Sequence, residues 1–149
     1  MTITPKERAE RAAKAMWSED DSSAWMGMRL VEVDEGWAVA ELTVERHHIN
    51  GHGICHGGVI YSLADTAFAF ACNSRNHNTY AMHNMISYLR PGRQEDLLRA
   101  EAREISLTGR NGIYDVQVIN QNEEVVAEFR GVSRAVSGHL FEEEKENAQ

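Results

Sequence analysis

Three rhythms of apolar and polar residues follow one another along this chain. In residues 5–17, Ala9, Ala12, Ala13, Met16 and Trp17 fall on one side of a 3.6-residue period, which predicts an amphipathic helix. Pro5 suits its first turn. Residues 18–24 read as a short turn. Residues 28–33 and 37–44 alternate with a period of two and flank Asp34-Glu35-Gly36, the signature of a hairpin. A loop rich in His and Gly covers 45–57. From Gly58 to Cys72 the rhythm changes again, to an almost wholly apolar run that predicts a helix ending near Asn73-Ser74. Four β-type segments complete the chain, at 80–89, 97–107, 113–120 and 125–136. They are separated by turns at Arg90-Pro91-Gly92, Thr108-Gly109-Arg110-Asn111-Gly112 and Asn122-Glu123. Short connections between consecutive strands imply an antiparallel sheet. One long apolar helix must then pack on it, an α+β arrangement of about six strands.

Length and composition add limits rather than elements. The 149 residues suffice for one domain with one core, expected over 1–137, with 138–149 an acidic and flexible tail. Two cysteines, Cys55 and Cys72, make no disulfide framework. The first 17 residues mix Lys and Arg with Glu and lack a signal-peptide apolar block, so a cytoplasmic protein is expected. No charge-free stretch is long enough to span a membrane. The net charge of −8 argues against nucleic acid as a partner. It leaves room for a small phosphorylated ligand held by a local group of arginines.

The candidate chemistry begins with Asp65, the only charge in the apolar run. An isolated buried carboxylate is costly, and no cation lies within a helical turn of it. Ile60, Leu63, Ala67 and Phe70 share one face of the helix. Asp65 points the opposite way, with Tyr61, Phe68, Ala69 and Cys72. That second face is also apolar, and one sheet covers one side. A second copy of the chain is therefore the expected cover, making a homo-oligomer. His56-Gly57-Gly58 opens the helix. Free N–H groups there favour negative charge, and glycine permits close approach, which suits a carbonyl oxygen turning into an oxyanion. Gly57 and Asp65 lie eight residues apart, or about 12 Å along the axis at ~1.5 Å per residue. Two groups acting on one carbonyl must each come within about 3 Å of it. If both serve one reaction, the site is shared between protomers.

At these residues the chain resembles the hot-dog-fold thioesterases, in particular the phenylacetate-degradation (PaaI-type) acyl-CoA thioesterases. The resemblance rests on Asn50-Gly51-His52-Gly53-Ile54-Cys55-His56-Gly57-Gly58 followed by Leu63-Ala64-Asp65-Thr66-Ala67. Asp34-Glu35-Gly36, Leu89-Arg90-Pro91-Gly92, Tyr114-Asp115-Val116 and Phe129-Arg130-Gly131 extend it over about residues 15–136. It implies a hot-dog fold, with a long central helix wrapped by a curved antiparallel sheet, paired into dimers and dimers of dimers. It implies hydrolysis of an acyl-CoA, of aryl or hydroxylated phenylacetyl type, with no cofactor beyond the CoA of the substrate. In that scheme the Gly57 amide polarises the thioester carbonyl, and Asp65 of the other protomer acts as general base or nucleophile. Asn50 and His56 orient substrate or water. Gly58, the turn Gly109-Arg110-Asn111 and Arg90 meet the CoA moiety.

Rival readings attach to the same residues. His47, His48, His52, Cys55 and His56 crowd ten positions and could hold zinc, but on a Gly-rich loop rather than an aligning helix, so no metal is expected. Cys55 beside His56 could be a nucleophile, although a buried cysteine is more often inert. Asp65 could be satisfied by Ser62 or Tyr61. A hot-dog domain that binds acyl-CoA without turnover is the alternative function.

Overall fold

The computed structural model describes residues 2–144. Helix α1 (Pro5–Ser18) starts at a capping box in which the Thr4 hydroxyl accepts from the Glu7 N–H and Glu7 reaches back to the Thr4 N–H. A second helix, α2 (Asp21–Met26), occupies what reads in the sequence as a turn. Its signals are local: Asp20 caps the Ser23 N–H at 3.0 Å, and Gly27 ends it at φ +85°. Strands β1 (Met28–Asp34) and β2 (Trp37–Thr43) form the expected hairpin. A loop with one 3₁₀ turn at Arg46–His48 leads to α3 (Gly57–Cys72). Strands β3 (Thr79–Tyr88), β4 (Leu97–Thr108), β5 (Asn111–Ile119) and β6 (Val125–Ala135) follow.

The six strands form one antiparallel sheet in the order β1-β2-β4-β5-β6-β3. Between β2 and β3 the chain passes from one side of the sheet to its far edge, and α3 makes that crossing. The helix therefore touches all six strands, and the sheet curls round it. This is the hot-dog arrangement. Alanines at the centre of the sheet, Ala38, Ala40, Ala100 and Ala102, keep its middle thin where Leu63, Ala64 and Ala67 lie deepest. Burying a side chain such as Leu63 contributes about 1.5–3 kcal/mol.

The curl reaches further than the helical wheel suggests. Phe68 and Cys72, assigned by periodicity to the outer face with Asp65, are buried inside the same chain. Phe68 packs against Tyr114 of β5 and Phe129 of β6, with ring centroids 5.5 and 5.8 Å away. Gly131 is needed there, since a Cβ would come within 2.8 Å of the Phe68 ring. What remains of the outer face is a narrow stripe of Tyr61, Asp65 and Ala69. The segment 138–144 lies against the body, through Asn76 and the Arg8–Glu143 ion pair at 2.7 Å. The rest of the expected flexible tail, 145–149, lies outside the described residues.

Candidate active site

The first turn of α3 explains the His-Gly-Gly sequence. His56 is the N-cap, and its Nδ1 accepts the Gly58 N–H at 2.8 Å. Val59 and Ile60 both donate to the His56 carbonyl. Of the donors in this turn, the Gly57 N–H is left without a partner among the described residues. A Cβ on Gly58 would stand 3.0 Å from His56 Nδ1, so a side chain there presses on the capping ring. A Cβ on Gly57 would stand 3.1 Å from Tyr88 Cζ, so any side chain there presses on the Tyr88 ring. The Tyr88 hydroxyl donates to the Gly57 carbonyl at 2.8 Å, tying β3 to the start of the helix.

The preceding loop is folded by Asn50, whose Oδ1 accepts from the N–H groups of His52 and Ile54 at 3.0 and 3.3 Å. A cleft of about 400 Å³ opens beside Gly57, lined among others by Asn50, Ile60, Tyr88, Leu89 and Arg90. Three residues singled out in the sequence, Asn50, Gly57 and Arg90, thus converge there. Arg90 is drawn to the Val125 carbonyl at 3.1 Å and to Glu124 at 3.5 Å. His56 is turned to its capping role.

Asp65 stands two turns along the same helix, half-buried. Its partner is Asn84 of β3, whose Nδ2 donates to Asp65 Oδ1 at 2.9 Å and to the Tyr61 hydroxyl oxygen at 2.9 Å. Neither Ser62 nor Tyr61 bonds Asp65 directly; Ser62 donates to the Gly58 carbonyl instead. Burial pushes the Asp65 carboxyl above the usual carboxylate range, and the Asn84 hydrogen bond pulls part of the way back. On the other side, α2 brings Ser23 Oγ within 3.4 Å of Thr66 Oγ1. Asn84 and Tyr88 escaped the sequence reading, which set Tyr61 beside Asp65 but as its direct partner. Strand alternation across 80–88 was the available signal, but it does not say which strand lies beside the helix.

Gly109, Arg110 and Asn111 lie elsewhere, at the β4–β5 turn near the other end of α3. Gly109 takes φ +61° there. Gly109 and Arg110 line a second cleft, of about 490 Å³, with His77 and Arg134, and Asn111 pairs with Arg134 across the sheet. Residues of the rival sites make local bonds. His48 is buried, accepting from the Glu45 N–H at Nδ1 (2.9 Å) and reaching the Met26 carbonyl at Nε2 (2.8 Å). Among the described residues no three His, Cys, Asp or Glu side chains gather as a metal site. Cys55 is buried, and burial, with Asp96 nearby, pushes its thiol up to about 11, so a thiolate is scarce at neutral pH.

A six-stranded antiparallel sheet curled round one helix defines the class: a hot-dog domain. The thioesterase superfamily model matches residues 52–127. The acyl-coenzyme A thioesterase PaaI of Escherichia coli (strain K12) is 41% identical over 133 residues, covering 89% of this chain and 95% of that protein. The solved structure of the E. coli PaaI protein, from the phenylacetic acid degradation operon, superposes with a TM-score of 0.90 at 40% identity. It covers 91% of this chain and 99% of that one. A mutant structure of the phenylacetic acid degradation protein PaaI from Thermus thermophilus gives a TM-score of 0.74 at 32% identity, covering 76% and 97%. The chain belongs to the thioesterase superfamily, as a thioester hydrolase of the PaaI type.

Proposed function

We propose that this protein hydrolyses acyl-CoA thioesters, with aryl acyl groups of the phenylacetyl kind as first candidates, at sites shared between two copies of the chain. The observation that carries the reading is the Gly57 N–H, without a partner among the described residues, at the start of the helix that also bears Asp65. An N–H at a helix start stabilises charge on a carbonyl oxygen as it becomes tetrahedral. A carboxylate near it activates water or attacks the carbonyl carbon. Within one chain the two stand about 12 Å apart, too far for one carbonyl.

The edge of the sheet supplies the way to join them. β3 is an edge strand, and Tyr80, Met82, Met85, Tyr88 and Leu89 on and beside it are 50–64% exposed. An open apolar edge of this kind invites pairing. β3 runs antiparallel to α3, with Tyr88 over Gly57 and Asn84 beside Asp65. Four strand residues, about 13 Å at ~3.3 Å each, match eight helical ones. An antiparallel β3–β3 pairing centred on Ile86 sets Asn84 opposite the partner's Tyr88, and so brings Asp65 level with the partner's Gly57. In this reading the cations of the Arg110–Arg134 cleft hold the phosphates of CoA. Gly109 shapes its rim, and Asn111 pairs with Arg134 beside it. Asn50, His56 and Gly58 keep the Gly57 amide in place, and Arg90 borders the cleft beside it. No group beyond water and the substrate is invoked. Tetramers, as dimers of such dimers, fit the exposed Ile105 and Leu107 on β4.

The decisive experiment mixes two impaired variants. Asp65→Asn and Gly57→Leu are expected to release little thiol from phenylacetyl-CoA when alone. After unfolding and refolding together, half the dimers are mixed, and each mixed dimer has one intact site. About a quarter of wild-type activity should return. No recovery from a mixture shown to contain mixed dimers would refute the shared site. A wild-type protein that binds acyl-CoA but frees no thiol would be a binding module.

A further inference from the structure

Asn84 has a bonding pattern that a filler residue does not need. Both protons of its Nδ2 are taken, one by Asp65 Oδ1 and one by the Tyr61 hydroxyl oxygen. Its Oδ1 is buried with no partner among the described residues. A buried acceptor left unmade is unfavourable, so the amide orientation must be held by something stronger. The carboxylate is that something. Turned by half a rotation, the amide would aim Oδ1 at Asp65, oxygen against oxygen, and lose a hydrogen bond to a charged acceptor.

We infer that Asn84 is the positioning residue of Asp65: it holds Oδ1, fixes the plane of the carboxylate and leaves Oδ2 as the oxygen that acts on the reaction. The inference rests on the proposed role of Asp65. In the general-base form, a water O–H bond breaks, the proton goes to Oδ2 and the water oxygen bonds to the thioester carbon. Collapse of the tetrahedral intermediate then breaks the C–S bond, and the proton leaves on the thiol. In the nucleophilic form, Oδ2 makes the bond to carbon and the sulfur leaves as thiolate; water then cleaves the anhydride. Either form needs Oδ2 unhindered and Asp65 ionised.

The surroundings make Asn84 the main support of that ionised state. From α3 the neighbours are Tyr61 and Cys72, and the Cys72 thiol is pushed up by burial and by Asp65 itself. From β6 comes Phe129, beside Tyr61 at 5.7 Å. Arg130 of β6 is committed to Asp115 at 2.6 Å. His83 precedes Asn84 on β3, and strand alternation turns it to the other face. No cation enters the balance on Asp65 among the described residues: burial opposes its charge and Asn84 favours it. Tyr61 receives the second N–H and makes no bond to Asp65 itself.

The test is the pH dependence of kcat/KM for phenylacetyl-CoA hydrolysis in the full-length protein. Asn84→Leu keeps the volume and removes the donor. Asn84→Asp keeps the shape and sets a second carboxylate against the first. Both should move the acid limb of the profile upward by about one pH unit or more, the second further than the first. Tyr61→Phe leaves the donor to Asp65 in place and should move it by less than about 0.3 unit. Circular dichroism and size exclusion identify variants that fold, and the two Asn84 changes give two chances of one that does. An unmoved acid limb in a folded Asn84 variant overturns the inference, as does an equal shift in Tyr61→Phe. Asp65→Asn, measured in parallel, separates this outcome from failure of the wider reading. If that variant keeps full activity, the role of Asp65 itself is wrong. If it is inactive and the Asn84 profiles do not move, only the positioning role falls.

Discussion

The two ends of the proposed chemistry sit on one helix and are built in opposite ways. At Gly57, the neighbouring polar groups are matched within the chain: His56 caps Gly58, Tyr88 holds the Gly57 carbonyl, Asn50 folds the loop, and one N–H is left over among the described residues. At Asp65, the acid is supported by one side chain, Asn84, on the last strand of an open sheet. A local motif can prepare a donor by itself, because caps and tight turns involve neighbours in sequence. A half-buried carboxylate needs distant chain, and here Asn84 of β3 supplies it.

The comparison breaks most visibly at Asp65. Asp65→Asn should lower kcat by about 10²-fold or more, measured as thiol release, with the fold intact. Near-normal release would end the argument from the lone acid. Gly57→Leu comes next, at about tenfold or more. Its side chain must displace the Tyr88 ring 3.1 Å away, and KM and kcat should both suffer because the amide is then covered. Gly58→Ala acts one step removed, by pushing His56 off its capping position. Loss of a cap costs about 1 kcal/mol, or roughly a fivefold loss of rate if it is felt wholly at the amide. Cys55→Ala should change kcat by less than about twofold, because a thiol raised to about 11 has little role at neutral pH. A large loss there, with Asp65→Asn active, would replace one mechanism by the other.

The same two ends differ in how pH should act on them. The folded-state pKa of Asp65 lies above its unfolded value. The folded protein therefore binds the proton more tightly than the unfolded chain, and this contribution to stability is full below the unfolded pKa. It is lost as pH rises through the folded one. Activity runs the other way, since the working form is the carboxylate. Asp65→Asn should thus melt no lower than wild type at neutral pH, with the gap closing in acid, while activity is lost. A variant that melts clearly lower at neutral pH would show that Asp65 stabilises the fold.

Much of this was legible before any coordinates. The hairpin at Asp34-Glu35-Gly36, the apolar helix and the four later strands follow from period and turn chemistry, which are local. The motif around His56-Gly57-Gly58 was legible for the same reason, as a cap within three residues. Helix α2 was missed although Asp20 and Gly27 mark its ends, because six residues are too few for a period to declare itself. Phe68 was placed on the wrong side because a helical wheel knows nothing of how far a sheet curls. Asn84 and Tyr88 were invisible as site residues, because their roles depend on β3 landing beside α3.

The sequence by itself determined the strands and the two longer helices, the glycine-opened helix start and an acid with no cation near it in the chain, since each depends on residues close in the chain. Only the tertiary structure decided what stands next to Asp65. The strand that does so leaves the helix at Cys72 and returns along it at the far edge of the sheet. That long-range placement is set by the packing of all six strands around one helix, and no local pattern encodes it.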